Sequence, residues 1–193
     1  MRLPSFGISG YVLLASLLVG LSLSSESPAD DRPILLEAEA FDDLGGWVLD
    51  QQFMDLMGSP FLLAHGMGQP VADARTEAEV SSPGRHRVWV RTRDWVAPWK
   101  ASGAPGRFQV LIDGKPLETT FGTEGNLWHW QDGGYVTLGE RVIVGLHDLT
   151  GFEGRCDAVI LIPEGRPAPP EDSEALRRFR RAALGHSDEP VEA

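Results

Sequence analysis

Three sets of side chains in this sequence have types and spacings that could do chemistry. In Glu37-Ala38-Glu39 two carboxylates stand two residues apart, and such residues project to one face of a strand. Like charges held that close need a cation, an arginine or bulk water. Calcium takes several oxygen ligands at once, so this pair plus a carboxylate from elsewhere could hold one. The second set is Trp95, Trp99, Trp128 and Trp130. Sugar rings present flat C–H faces that pack on indoles, while Asp, Asn, Gln and Arg bond their hydroxyls, so indoles in loops suit a glycan. Trp128 and Trp130 alternate along a strand, so one of the two can face a core while the other meets a ligand. The third set, Asp94, His147, Asp148 and Arg155 with Glu153, could line a polar pocket beside the tryptophans.

Catalytic arrangements are harder to find. His129, His147-Asp148, Glu153 and Asp157 invite a zinc or acid–base reading. The helical His-Glu-x-x-His spacing is missing, however, as are a Gly-x-Ser-x-Gly elbow and a nucleophile with a paired base. Hydrogen bonding at strand ends and in loops is the better reading of these residues. The single cysteine, Cys156, permits no internal disulfide and reads as a buried, inert thiol. Gly66 and Gly68 form the only Gly-x-Gly, without a third glycine or a following helix, so no FAD or other dinucleotide fingerprint is present. These residues describe a binding module more than an enzyme.

The elements that must position them are strands. Gly84 to Asp94 has a clean two-residue period: His86, Val88, Val90 and Thr92 fall on one face, and Arg87, Trp89, Arg91 and Arg93 on the other. The first set can enter a core, and the second needs water, acidic neighbours or a ligand. Gly and Pro breaks restart this period repeatedly, giving about ten strands between residues 34 and 163 with no interleaved helices, the pattern of an all-β, antiparallel β-sandwich. Asp94 to Gly106 carries two prolines and two glycines and reads as a long exposed loop. Asp113-Gly114 is a tight hairpin turn, and Gly133-Gly134 separates a Trp-rich strand from the next.

Beyond Pro163 a Pro-rich connector leads to a helix over residues 172–185, with acids in its first turn, bases later and Gly185 as its stop. Its stripe of Leu176, Phe179, Ala183 and Leu184 needs a partner surface. At the other end, Arg2 precedes an apolar run from Tyr11 to Leu23, short for a bilayer span and flanked as in a secretory signal peptide, with an uncleaved membrane anchor as the alternative. The organisation expected is therefore a signal peptide over 1–25, a linker over 26–33, the sandwich over 34–163, and connector plus helix over 164–193. The mature protein should be secreted or periplasmic, without a membrane span. Its net charge of −11 argues against nucleic acid as a partner.

The order of motifs resembles a known class. A first strand with Glu-Ala-Glu, a Gly-Gly loop, the strand Pro83-Gly84-Arg85-His86-Arg87-Val88-Trp89-Val90-Arg91, an Ile-Asp-Gly hairpin, a Trp-rich segment and a last strand opening with Asp157 are similar to the galactose-binding-like jelly-roll carbohydrate-binding modules, families 6 and 35. The resemblance implies a structural calcium held by Glu37, Glu39 and Asp157, and a glycan ligand. A narrower resemblance rests on five segments: Trp47 to Asp55, Arg93 to Lys100, Thr123 to Gly125, Trp128 to Gly134 and His147 to Asp157. These look like a β-sandwich region of secreted bacterial FAD-dependent oxidoreductases. That likeness implies, as the enzyme alternative, that the chain is the N-terminal β-sandwich part of an FAD-dependent oxidoreductase acting on a sugar-like substrate, docking to a flavin-binding domain toward which the C-terminal helix connects, so that truncation after Pro163 leaves stability unchanged. A purely structural or partner-docking domain is the remaining reading.

Overall fold

The computed structural model describes residues 31–100 and 103–185. The expected signal peptide lies outside the described residues. Among those residues no helix is long and apolar enough to cross a membrane.

Two antiparallel sheets lie face to face. The larger contains β1 (Ile34–Glu37), β2 (Val48–Asp50), β3 (Phe61–His65), β5 (Gly84–Thr92), β8 (His129–Leu138) and β10 (Phe152–Pro163). Its order is β2-β3-β10-β5-β8, with β1 also paired to β10. The smaller contains β4 (Ala74–Glu79), β6 (Phe108–Ile112), β7 (Lys115–Pro116) and β9 (Arg141–Asp148), ordered β4-β9-β6-β7. β10 is flanked by strands on both edges and covered on both faces, which explains its uninterrupted apolar run. Its inner residues Val159 and Leu161 meet Val88, Val90, Phe108 and Phe121 in the main core, while Ala158, Ile160 and Ile162 belong to a second cluster on the outer face.

β5 keeps the expected alternation, with His86, Val88, Val90 and Thr92 buried on the inner face. On its outer face the arginines find acidic neighbours. Arg87 donates through Nε and NH2 to both carboxylate oxygens of Asp132, and Arg91 approaches Asp157 and Glu171. The Asp113-Gly114 turn has φ of 50° and 76°, the left-handed pair a two-residue hairpin requires.

Three expectations need correcting. The glycines at 133 and 134 do not end a strand: β8 runs through them with a bulge, since Val88 pairs with Gly134 and Trp89 with Asp132. A Cβ at Gly133 would meet Leu117 and Phe121 at 3.0 Å, so the break in period marks close packing instead of a turn. The segment from 94 to 106 is not simply an exposed loop, because Asp94, Val96 and Gly106 are buried and a short 3-10 turn, Ala97–Trp99, lies inside it.

The third correction concerns the tail. Helix α2 (Ser173–Ala183) forms as expected, with the Asp172 carboxylate capping the N–H groups of Glu174 and Ala175. Its apolar side is taken up by the sandwich itself. Leu176, Phe179 and Ala183 pack on Leu35, Trp130, Ala158, Ile160 and Ile162, the outer face of the larger sheet. Without the helix those apolar side chains would face water. The connector is tied down as well, through the Trp130 backbone N–H donating to the Glu171 carboxylate at 2.7 Å. A short helix, α1 (Met54–Met57), has no counterpart in the periodicity.

Candidate functional site

Strand directions bring the β3–β4, β5–β6, β7–β8 and β9–β10 loops to one end of the sandwich. β5 leaves the sheet at Thr92, and Asp94 fixes its exit: the backbone N–H donates to the carbonyls of Glu124 and Gly125, and Oδ1 accepts from Val96. Asp94 is thus buried and organises the turn that carries Trp99.

Trp95 and Trp99 meet edge to face, with centroids 6.3 Å apart and planes at 70°. Trp95 is pinned by its indole N–H to the Phe152 carbonyl at 3.0 Å, and the Arg155 guanidinium lies 5.3 Å from its ring centroid. A Cβ at Gly106 would stand 2.8 Å from the Trp95 ring, so only glycine leaves room for the indole. Trp99 is different. It is 71% exposed, and Phe152, whose carbonyl holds Trp95, is half exposed.

Polar groups adjoin this platform. Glu153, at φ 61°, sits where β10 breaks register with β3 and accepts from Arg155 at 3.1 Å while contacting His65 Nδ1 at 3.2 Å. Arg155 is buried, and its Nε and NH1 have no hydrogen-bond partner; Arg93 Nε is alike. Burial lowers the pKa of both guanidiniums, and for Arg155 the nearby Arg93 adds to the effect. Arg93, just past the end of β5, and Arg155 of β10 thus place two guanidinium groups near the carboxylate of Glu153.

The other expected site residues lie elsewhere. Trp130 is in the second core cluster under α2, and Trp128 packs on Phe61 and Phe53 with centroids 4.9 and 6.0 Å away. Both indoles of the alternating pair are therefore occupied with packing. Asp148 is buried and accepts from the N–H groups of Val71, Thr150 and Gly151, holding the loops beside Phe152. His147 faces outward from the smaller sheet and bonds Asp73 at 2.8 Å. Of the sequence candidates, the structure joins Trp95, Trp99 and Arg155. It adds Arg93, whose place on the outer face of the period-two strand marks it as needing water, an acid or a ligand, and Phe152 and His65, which no local pattern singles out.

The carboxylates of β1 and β10 form a separate cluster. Glu37 and Asp157 do come together, as expected for calcium, but both are engaged by Arg180 of α2. Its Nε donates to Glu37 Oε1 at 2.8 Å, its NH2 to Glu37 Oε2, and its NH1 to Asp157 Oδ2 at 3.2 Å. Ser59 Oγ donates to Asp157 Oδ1 and accepts from Arg180, and Arg91 Nε stands 3.2 Å from Asp157 Oδ2. Burial, helped by Glu37, raises Asp157 to about 6 against the pull of Arg180 and Arg91. Burial also raises Glu39 to about 7, assisted by Glu37 and Asp157. Among the described residues no three His, Cys, Asp or Glu side chains are grouped to hold a metal ion. With two guanidiniums against Asp157, the residues present do not fit calcium. Cys156 is buried, its thiol pKa raised by burial, as an inert thiol should be.

No family model matches the chain, and no curated protein matches it. Solved structures do match its fold. A GH26-CBM35 β-(1,4)-mannanase of Podospora anserina aligns at 18% identity and TM-score 0.55, covering 74% of this chain and 30% of that one. A Paenibacillus xanthan lyase aligns at 18% identity and TM-score 0.53, covering 72% of this chain and 14% of the lyase. A family 35 carbohydrate-binding module of Clostridium thermocellum aligns at 14% identity and TM-score 0.50, covering 67% of this chain and 96% of the module. The chain therefore spans under a third of the two enzymes and nearly all of the isolated module. The shared architecture is the jelly-roll sandwich of these modules.

Proposed function

We propose that this protein is a secreted or periplasmic, non-catalytic carbohydrate-binding sandwich whose glycan lies against Trp99 at the loop end. The observation that carries the reading is the posture of that indole: a large apolar face left in water, braced edge-on by Trp95, which is itself fixed by a hydrogen bond and a cation–π contact. Exposing an indole forgoes its burial energy, and bracing it lowers the entropy lost when a flat ligand stacks on it. Arg155, Glu153 and His65 stand near enough to Trp95 and Phe152 to bond hydroxyls at the rim of such a ligand. The folds it shares come from a family 35 module and from enzymes named for mannan and xanthan, which makes a plant or microbial polysaccharide the class to test first. Docking to a flavin-binding domain rests on motif resemblance alone, and the helix face invoked for it is buried on the sandwich.

Affinity electrophoresis in gels containing mannan, xanthan or xylan tests the proposal, followed by calorimetric titration with oligosaccharides of whichever retards the protein. Retardation that Trp99→Ala abolishes while the far-ultraviolet spectrum stays unchanged is the expected result. Retardation by none of a broad glycan panel, or retardation indifferent to Trp99→Ala, overturns it.

A further inference from the structure

We infer that Arg180 is the resident cation of this fold: α2 carries into the sandwich the positive charge that the carboxylates of β1 and β10 require, so that the domain extends through the helix and holds these strands together without calcium. Two carboxylates on neighbouring strands cannot stay charged and buried without a positive partner. Glu37 ends β1 and Asp157 stands at the register shift of β10, and the side chain of Asp157 is fully buried. The partner they have is a guanidinium reaching across from a helix 23 residues beyond Asp157 and 143 beyond Glu37.

The geometry suits arginine specifically. A planar fork can meet Glu37 with two parallel N–H bonds and still turn a third donor to Asp157, which a point charge does not do. Ser59, from the segment before β3, closes the ring by bonding both Asp157 and Arg180. Burial works against the charge on Arg180, but the bonds to Glu37 and Asp157 outweigh it and hold the guanidinium above its ordinary pKa. The helix is positioned for this by its apolar side. Arg180 lies one turn from Leu176 on α2, beside Phe179, and the packing of those residues on Ile160 and Trp130 sets the guanidinium over the carboxylates. A calcium ion at the same carboxylates would have to displace Arg180 and then face Arg91, so the ion and the helix are competitors.

The test is thermal unfolding of the full chain with excess calcium and with excess chelator, alongside Arg180→Met and the double variant Arg180→Met/Asp157→Asn. The wild-type curves should superimpose in the two conditions. Arg180→Met should melt several degrees lower, and the double variant should recover part of the loss because the orphaned buried carboxylate has been removed. If calcium raises the wild-type midpoint, the carboxylates hold a metal and the inference fails. It fails equally if Arg180→Met melts like wild type. Should Arg180→Met not fold, the double variant and the wild-type calcium comparison still decide the matter: a double variant no more stable than the single one also overturns the proposal.

Discussion

Trp95 donates its indole N–H to the carbonyl of Phe152, 57 residues away, and so ties the exit of β5 to the start of β10. The two indoles of the 94–99 turn consequently do different work, one joining loops and the other meeting solvent. Trp99→Ala should abolish glycan retention with little change in melting temperature. Trp95→Ala should weaken retention and also destabilise the fold, by about 1–2 kcal/mol, because it removes the indole hydrogen bond to Phe152 and the ring on which Arg155 stacks. Paired melts and gel retardation of the two variants check this; equal, unaltered melts would place both indoles in the ligand surface.

Asp148 is expected to behave as a loop organiser. Its carboxylate satisfies three backbone donors, those of Val71, Thr150 and Gly151. Asp148→Ala strands those N–H groups in a buried setting, at about 1–3 kcal/mol for each that water cannot reach. A large fall in the urea midpoint, with glycan binding lost only in proportion to unfolding, is the predicted outcome. A variant of wild-type stability that no longer binds would instead make Asp148 a ligand contact.

The strands were legible because their two-residue period is a direct image of one buried face, as in His86, Val88 and Val90. The helix was legible for a similar reason: Asp172, the late arginines and Gly185 are local signals. What sequence could not supply is which long-range partner satisfies a requirement. Glu37 and Glu39 announced a need for positive charge, yet nothing local says that an arginine 143 residues from Glu37 meets it. Gly133 looked like a break because close approach of Leu117 and Phe121 leaves no local mark. Alternation allowed one of Trp128 and Trp130 to face a core, and only the placement of Phe61 and α2 shows that both are engaged in packing.

Truncation after Pro163 now carries a definite expectation. It uncovers Ala158, Ile160, Ile162 and Trp130 and leaves Glu37 and Asp157 without Arg180. Leu176→Ala alone should cost about 2–5 kcal/mol, as buried leucines generally do. The truncated chain should lose more than that, read as a lower urea midpoint or as failure to fold cooperatively. An unchanged midpoint would mean that the helix does not rest on the sandwich in solution.

The last prediction concerns pH and Glu39. Its Oε2 is buried without a hydrogen-bond partner, and burial, together with Glu37 and Asp157 nearby, raises its pKa from 4.5 to about 7. A carboxyl with a raised folded-state pKa takes up its proton more readily in the folded chain than in the unfolded one. Its contribution to stability is therefore fully present below 4.5 and is lost as pH rises through about 7. Glu39→Gln keeps the shape and removes the charge, so the variant should melt higher than wild type at about pH 8, and the difference should shrink toward zero near about pH 4, where both side chains are neutral. Melting curves of the two proteins across that range decide the point. A variant less stable than wild type at the alkaline end would show that the Glu39 carboxylate is engaged by a positive partner there, which its buried and unpartnered oxygen does not lead one to expect.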